Sequence, residues 1–113
     1  MIYIDVHAHL DFPEYKEDLD KVLEDCRQKG VKAIIVNGVD TASNRRVLEL
    51  SHSHSIIKPA LGFYPTHVVE NKWKDVDEEL DLILHNKNKV AIGEVGLDYK
   101  FGAETHPDLK MLS

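Results

Sequence analysis

Four short strand-like segments alternate with three segments of helical periodicity along this 113-residue chain, and this alternation is the strongest constraint on its fold. The predicted strands are 2–9, 31–36, 56–63 and 90–98. The predicted helices are 14–29, 42–54 and one that begins at Asp75. Strands that alternate with helices form βαβ units and therefore a parallel sheet. The sequence predicts an α/β fold in one domain, residues 1–113.

Two arrangements of βαβ units remain, an open sheet and a (β/α)8 barrel. The turn after the first strand lacks the Gly-x-Gly-x-x-Gly pattern of dinucleotide-binding open sheets. Polar residues recur instead where the first, third and fourth strands end, which is typical of the open end of a barrel. We therefore expect the N-terminal portion of a (β/α)8 TIM barrel, with about four parallel strands and three helices.

Local signals mark two of the helix ends. Gly30 follows the first helical segment and is placed to terminate it. Asp75 and Glu78 have the spacing of a capping box, in which Asp75 would cap the third helix and Glu78 would bond back to it.

A pair of histidines lies at the end of the first strand. Because side chains alternate along a strand, His7 and His9 project from the same face and could form half of a divalent-cation site. Glu94 lies in the fourth apolar segment between Gly93 and Gly96. A carboxylate buried there needs a metal ion or, alternatively, an ion pair with a lysine or arginine.

Three motifs together resemble the TatD family of metal-dependent deoxyribonucleases, which are amidohydrolase-like TIM-barrel hydrolases. They are Ile4–Asp11, Gly62–Pro65 and Ala91–Tyr99. The resemblance implies a hydrolase that cleaves phosphodiester bonds in DNA, typically as a 3′–5′ exonuclease. It also implies divalent ions, Mg, Mn or Zn, with two in a complete enzyme.

The resemblance assigns roles to five residues of this sequence. His7 and His9 match the first metal ligands, and Glu94 matches a catalytic carboxylate that bridges two metals. Tyr64 stands where the family commonly has a histidine, and it and His67 are candidates for binding the substrate phosphate.

Other polar residues are expected to support the site or to be unrelated to it. Asp11 and Asp98 lie beside the motifs, and a structural role in the loop is favoured for Asp11. The remaining histidines are predicted to be solvated; they are His52, His54, His85 and His106.

Composition limits the partners and the compartment. A formal net charge of −6 argues against a broad basic surface for nucleic acid, so DNA would be held through metal-bound phosphate. No apolar segment is long enough to span a membrane. The single cysteine, Cys26, is predicted to pack in the core and fits a reducing, cytoplasmic setting.

A complete barrel needs about 250 residues, and by resemblance its second half supplies two further histidines and an aspartate. The four-stranded sheet would also have open edges. We therefore expect self-association or association with a complementary C-terminal half. Two alternatives are another amidohydrolase-type enzyme that acts on amide or ester bonds, and a non-catalytic half-barrel that packs with a partner.

Overall fold

The computed structural model describes residues 1–100, which contain a four-stranded parallel sheet in the order β1-β2-β3-β4. The strands are β1 (Tyr3–Ala8), β2 (Val31–Asn37), β3 (Ile57–Leu61) and β4 (Ala91–Ile92). Each strand pairs with the next one along the chain, as consecutive strands of a barrel do. The carboxyl ends of all four strands therefore meet at one edge of the sheet.

Four α-helices connect and cover the strands within residues 1–100, one more than predicted. They are α1 (Leu19–Gln28), α2 (Thr41–Ser53), α3 (Pro65–Glu70) and α4 (Trp73–His85). The unpredicted α3 begins at Pro65, whose fixed φ suits the first position of a helix. Its six residues are too few to show a periodic apolar pattern. In this part of the chain no helix combines the length and apolarity needed to cross a bilayer.

The first predicted helix, 14–29, begins later than expected. A 3-10 turn (Pro13–Tyr15) comes first, and α1 starts at Leu19 with Asp18 at its N-cap. Its predicted end is correct, because Gly30 follows α1 with a φ of +93°. A Cβ at Gly30 would also overlap the carbonyl oxygen of Met1, so both conformation and space favour glycine there.

The capping box predicted at Asp75 and Glu78 is wrong. The N-cap of α4 is Lys72, and the Asp75 N–H donates to the Lys72 carbonyl at 3.0 Å, inside the first turn. A real capping box opens α2, where Asp40 accepts from the Ser43 N–H at 2.7 Å and the Ser43 hydroxyl accepts from the Asp40 N–H at 3.0 Å.

The core lies where α1 and α2 pack against β2 and β3. Its buried members are Leu10, Leu23, Ile34, Val36, Val47, Ile56, Ile57, Leu61 and Ile83. The half-buried Cys26 packs against this cluster, as predicted. Burial of these side chains holds the helices on the sheet, so the strand ends become a fixed platform.

The fourth strand is shorter than predicted, and the third contains a proline. The fourth strand covers only Ala91–Ile92 rather than 90–98, so Glu94 lies just past its end. Pro59 lies inside β3, but its carbonyl accepts from the Val90 N–H at 2.8 Å, on the β4 side. The N–H and C=O groups of one strand residue point to the same side, so the N–H that proline lacks would face the β4 side, at a level before β4 begins. The hydrogen bonds between β2 and β3 are therefore all retained.

Candidate metal centre

Three polar side chains from opposite edges of the sheet converge at its carboxyl end. His7 lies near the end of β1, His9 follows it, and Glu94 follows β4. The Nε2 atoms of His7 and His9 are 3.2 Å apart. Glu94 Oε2 lies 3.3 Å from His7 Nε2 and 3.2 Å from His9 Nε2. The predicted ligands are thus brought together, although 87 residues separate His7 from Glu94.

Contacts behind its ring fix the orientation of His9. Its Nδ1 donates to the carbonyl oxygen of Asn37 at 3.0 Å, because a carbonyl can only accept. The ring also stacks on Phe12, with centroids 5.0 Å apart and planes 12° from parallel. In the neutral ring the proton therefore sits on Nδ1, and the lone pair of Nε2 points to His7 and Glu94.

The triangle formed by these three atoms fits a metal ion. Ligand atoms about 2.1 Å from a metal lie roughly 3.0 Å apart in an octahedral shell and roughly 3.4 Å apart in a tetrahedral one. The sides of 3.2–3.3 Å observed here fall between these values. A carboxylate and two imidazole lone pairs that face one another also need a cation or protons between them. The donor set and spacing therefore suit a divalent cation.

Backbone contacts between neighbouring strand ends place Glu94. The Glu94 N–H donates to the Gly38 carbonyl at 2.9 Å, and the Gly93 N–H donates to the Leu61 carbonyl at 3.0 Å. The Gly93–Glu94 peptide bond is cis. A Cβ at Gly62 would overlap the Gly93–Glu94 backbone, so only glycine permits this approach.

Tyr64 and Asp98 form a pair beside Glu94. The Tyr64 hydroxyl donates to Asp98 Oδ2. This hydrogen bond, partial burial and the negative charges of Asp98 and Glu94 raise the pKa of Tyr64 to about 12. These three residues line a cavity of about 510 Å³ at the strand ends. Because a phenol has one proton, Tyr64 cannot donate to a phosphate while it donates to Asp98.

His67 lies on α3 behind Tyr64. Its Nδ1 donates to the Val39 carbonyl at 3.1 Å and lies 3.7 Å from Asp40 Oδ2. The His67 ring meets the Tyr64 ring edge-on, with centroids 5.9 Å apart. The structure therefore joins the two predicted substrate residues to each other and places Tyr64 beside the candidate metal ligands.

Comparison with known proteins identifies the family. The family described as TatD related DNase matches residues 4–111. The chain belongs to this family. It is 36% identical over 95 residues to the uncharacterized metal-dependent hydrolase YabD of Bacillus subtilis (strain 168), covering 84% of this chain and 37% of YabD. It is 32% identical over 104 residues to the human deoxyribonuclease TATDN3, covering 85% of this chain and 38% of TATDN3.

A solved structure confirms the predicted fold class. The chain resembles the crystal structure of YjjV, a TatD homologue from Escherichia coli K12, with a TM-score of 0.79 and 30% identity. The match covers 97% of this chain and 43% of YjjV. The chain spans about two fifths of the length of the TatD relatives it matches, and its four parallel strands correspond to the N-terminal portion of a TatD barrel.

Asp11 connects the loop after β1 to α2. Its side chain is fully buried, and Arg46 Nη2 lies 3.5 Å from Asp11 Oδ2. Neither carboxylate oxygen has a hydrogen-bond partner among residues 1–100. Burial raises the pKa of Asp11. These contacts favour the structural role expected for Asp11.

The other described histidines lie on the helices, away from the strand ends. His52 and His85 are exposed and donate from Nδ1 to carbonyls of their own helices, at Leu48 and Asp81. His54, at the end of α2, is partly exposed. The fourth, His106, lies outside the described residues.

Sequence reasoning missed the asparagines that support the site. Asn37 contacts His9 through its carbonyl, and the buried Asn44 bonds to the backbone of Gly62. In the sequence, Asn37-Gly38 follows the second predicted strand and has the composition of an ordinary loop. No local pattern marks Asn44, whose partner is 18 residues away.

Proposed function

We propose that this chain carries the N-terminal half of the active site of a metal-dependent deoxyribonuclease. The observation that carries the proposal is the convergence of His7, His9 and Glu94, whose three ligand atoms are 3.2–3.3 Å apart. Membership of the TatD related DNase family supports DNA as the substrate. By the TatD resemblance, cleavage proceeds from the 3′ end.

Each residue has a defined task in this proposal. His7 and His9 are metal ligands through Nε2, and the Asn37 carbonyl keeps the proton of His9 on Nδ1. Glu94 would be both a metal ligand and the catalytic carboxylate, and the TatD resemblance implies that it would hold two ions in a complete enzyme. When bound, divalent ions supply a nucleophile at neutral pH and offset the charge that develops on the phosphoryl group.

The proposed substrate-binding residues are Tyr64 and His67, on one side of the site. Tyr64 shares a cavity with Glu94, and its hydroxyl would exchange its bond with Asp98 for a bond to a phosphate oxygen. His67, whose ring meets the Tyr64 ring edge-on, would help to stabilise the same phosphate. Since the chain carries a net charge of −6, attraction of DNA depends on the bound cations.

The proposed site needs a partner to complete it. Three protein ligands do not fill the shells of two ions, and β1 and β4 leave open edges in the described part of the chain. We propose that a second copy, or a complementary C-terminal half, pairs with these edges and supplies the remaining ligands. The location of this assembly in the cytoplasm is part of the same proposal.

The test is nucleotide release from single-stranded DNA labelled at either end, with Mg²⁺ or Mn²⁺. We expect release that starts at the 3′ end and is abolished by chelator and by the double substitution His7→Ala/His9→Ala. The matched control is His52→Ala/His85→Ala, which removes two exposed helical histidines. Release that persists unchanged in His7→Ala/His9→Ala would refute the proposal, and a folded wild-type chain without activity would support the non-catalytic half-barrel.

A further inference from the structure

We propose that Asn44 is a positioning residue for the metal site, although it contacts neither a ligand side chain nor the substrate. It acts by fixing the ends of β2 and β3, on which His9 and Glu94 rest. This inference rests on the proposed metal site and adds a residue on α2 that determines how well the site binds its ion.

Asn44 binds the end of β3 as if it were a neighbouring strand. Its Nδ2 donates to the Gly62 carbonyl at 3.0 Å, and its Oδ1 accepts from the Gly62 N–H at 3.1 Å. The side chain is completely buried. One carboxamide therefore satisfies both backbone groups of a residue that has left the β3 ladder.

The backbone held by Asn44 contacts the metal-binding segment directly. Gly62 packs against the Gly93–Glu94 backbone so closely that a Cβ there would overlap it. Gly38 packs against Asn44 Oδ1 in the same way, and its carbonyl accepts from the Glu94 N–H at 2.9 Å. Asn44 thus lies behind both supports of Glu94.

The contacts of Asn44 also extend to His9, through Asn37. Asn37 precedes Gly38, and its carbonyl accepts from His9 Nδ1 at 3.0 Å. A shift of the 37–38 segment would therefore move the His9 ring and the Glu94 backbone together. Because metal–ligand bonds tolerate errors of only about 0.2 Å, such a shift weakens binding.

A buried acidic residue fixes the orientation of the Asn44 amide. Nδ2 donates its second proton to Glu79 Oε1 at 2.9 Å. Glu79 is only 4% exposed, and Arg45 contacts both of its oxygens at 3.0 and 2.8 Å. Because the carboxylate can only accept, it holds Nδ2 and not Oδ1 towards the Gly62 carbonyl.

The test compares Zn²⁺ affinity and thermal stability in Asn44→Ala and Val47→Ala. Val47 is also completely buried on α2, but it packs in the core and serves as the matched control. We expect Asn44→Ala to weaken Zn²⁺ binding by about 10- to 100-fold, the usual effect of residues that orient metal ligands. Val47→Ala should lose stability without this loss of affinity. An unchanged affinity in folded Asn44→Ala would overturn the inference.

A second variant applies if Asn44→Ala does not fold. The double substitution Asn44→Asp/Glu79→Gln keeps the side-chain volumes, the net charge and a hydrogen bond between the two side chains. It removes Nδ2 of Asn44, which donates to the Gly62 carbonyl. We expect weaker Zn²⁺ binding than in the wild type. Equal affinity would overturn the inference.

Linkage gives a third measurement that needs no substitution. If the bonds between Asn44 and Gly62 support metal binding, bound Zn²⁺ must stabilise them in return. Hydrogen exchange at the Gly62 N–H should slow more than at the Val22 N–H of α1, which bonds to Asp18. Equal slowing would overturn the inference, whereas a wild-type chain that binds no Zn²⁺ would instead refute the proposed metal site.

Discussion

The hydroxyl proton of Tyr64 is donated to Asp98, and this bond determines what both side chains can do beside Glu94. A carboxylate that accepts a hydrogen bond from a phenol is oriented by it and keeps its negative charge. Tyr64 therefore remains protonated over the pH range in which nucleases work. In the proposed function, Tyr64 would donate to a phosphate only when a substrate displaces Asp98 as its acceptor.

The pKa of Tyr64 provides a direct check of this pairing. The difference between the absorbance titrations of wild type and Tyr64→Phe should show a midpoint near pH 12. Asp98→Asn removes the main cause of the rise, so the midpoint should fall towards the ordinary value of 10. A midpoint that does not change in Asp98→Asn would contradict the bond.

The same pair has a stability consequence whose sign follows from linkage. The folded state holds the Tyr64 proton more tightly than the unfolded state, so the stabilisation is complete below pH 10 and is lost as the pH rises towards 12. Denaturant unfolding measured from pH 9 to 12 should show a smaller loss of free energy in Tyr64→Phe than in the wild type. Equal losses would show that the pair does not stabilise the fold.

Among the elements, α2 does the most to organise the site. It carries Asn44 into the centre of the molecule, and its N-cap residue, Asp40, also lies near His67. Partial burial opposes ionisation of Asp40, but hydrogen bonds from Ser43 and the charges of His67 and Arg46 together lower its pKa. The start of this helix is therefore fixed from several directions.

The cap of α2 can be tested with two substitutions. Asp40→Ala should reduce the free energy of unfolding by about 1 kcal/mol, the usual value of an N-cap. Asp40→Asn keeps an equally good cap and should cost much less at neutral pH. Chemical denaturation measures both, and equal losses in the two variants would argue against a capping role.

Stability measured at several pH values distinguishes the contribution of the Asp40 charge from that of its N-cap hydrogen bond. Because folding lowers the pKa of Asp40, its ionised form stabilises the fold at pH values above about 3.8, its pKa in the unfolded chain. This stabilisation is lost as the pH falls below that value. The wild type should therefore lose more stability than Asp40→Asn between pH 4 and 2. Parallel pH profiles would contradict the assignment.

The elements also show what could be predicted from the sequence and why the rest could not. The apolar runs predicted β1, β2 and β3 correctly. Burial imposes this pattern on β2 and β3, whereas Ile4 and Val6 of β1 are exposed in the described part of the chain. The fourth strand is shorter than predicted. Residues 90–98 include types that favour strands, but only Ala91 and Ile92 pair with β3. His7, His9 and Glu94 could be chosen by motif, whereas Asn37 and Asn44 act through backbone contacts that leave no periodic signal.

Helices cover the sheet near its centre but not along its edges. Large apolar side chains stay exposed on the edge strands and just beyond β4; they are Ile4, Val6, Ile92, Val95 and Leu97. Exposed apolar groups beside open strand edges favour association with another chain. The proposed partner would cover these groups.

Association can be measured by sedimentation velocity over a range of concentrations. We expect the 12.9 kDa chain to form larger species at tens of micromolar, and Val6→Thr/Ile92→Thr to shift it towards the monomer. Leu84→Ser on α4, another exposed apolar residue, is the control and should leave the distribution unchanged. A wild-type chain that stays monomeric and melts cooperatively would contradict self-association.

Calorimetric titration of the untagged chain with Mn²⁺ can show whether His7, His9 and Glu94 bind one divalent cation together. We expect saturable binding that weakens at least 10-fold in His9→Ala and in Glu94→Gln but is unchanged in His52→Ala. Because one ion would contact all three side chains, the two site variants should affect the same binding event. Binding that is equally tight in wild type, His9→Ala and Glu94→Gln would show that these side chains do not form a cation site.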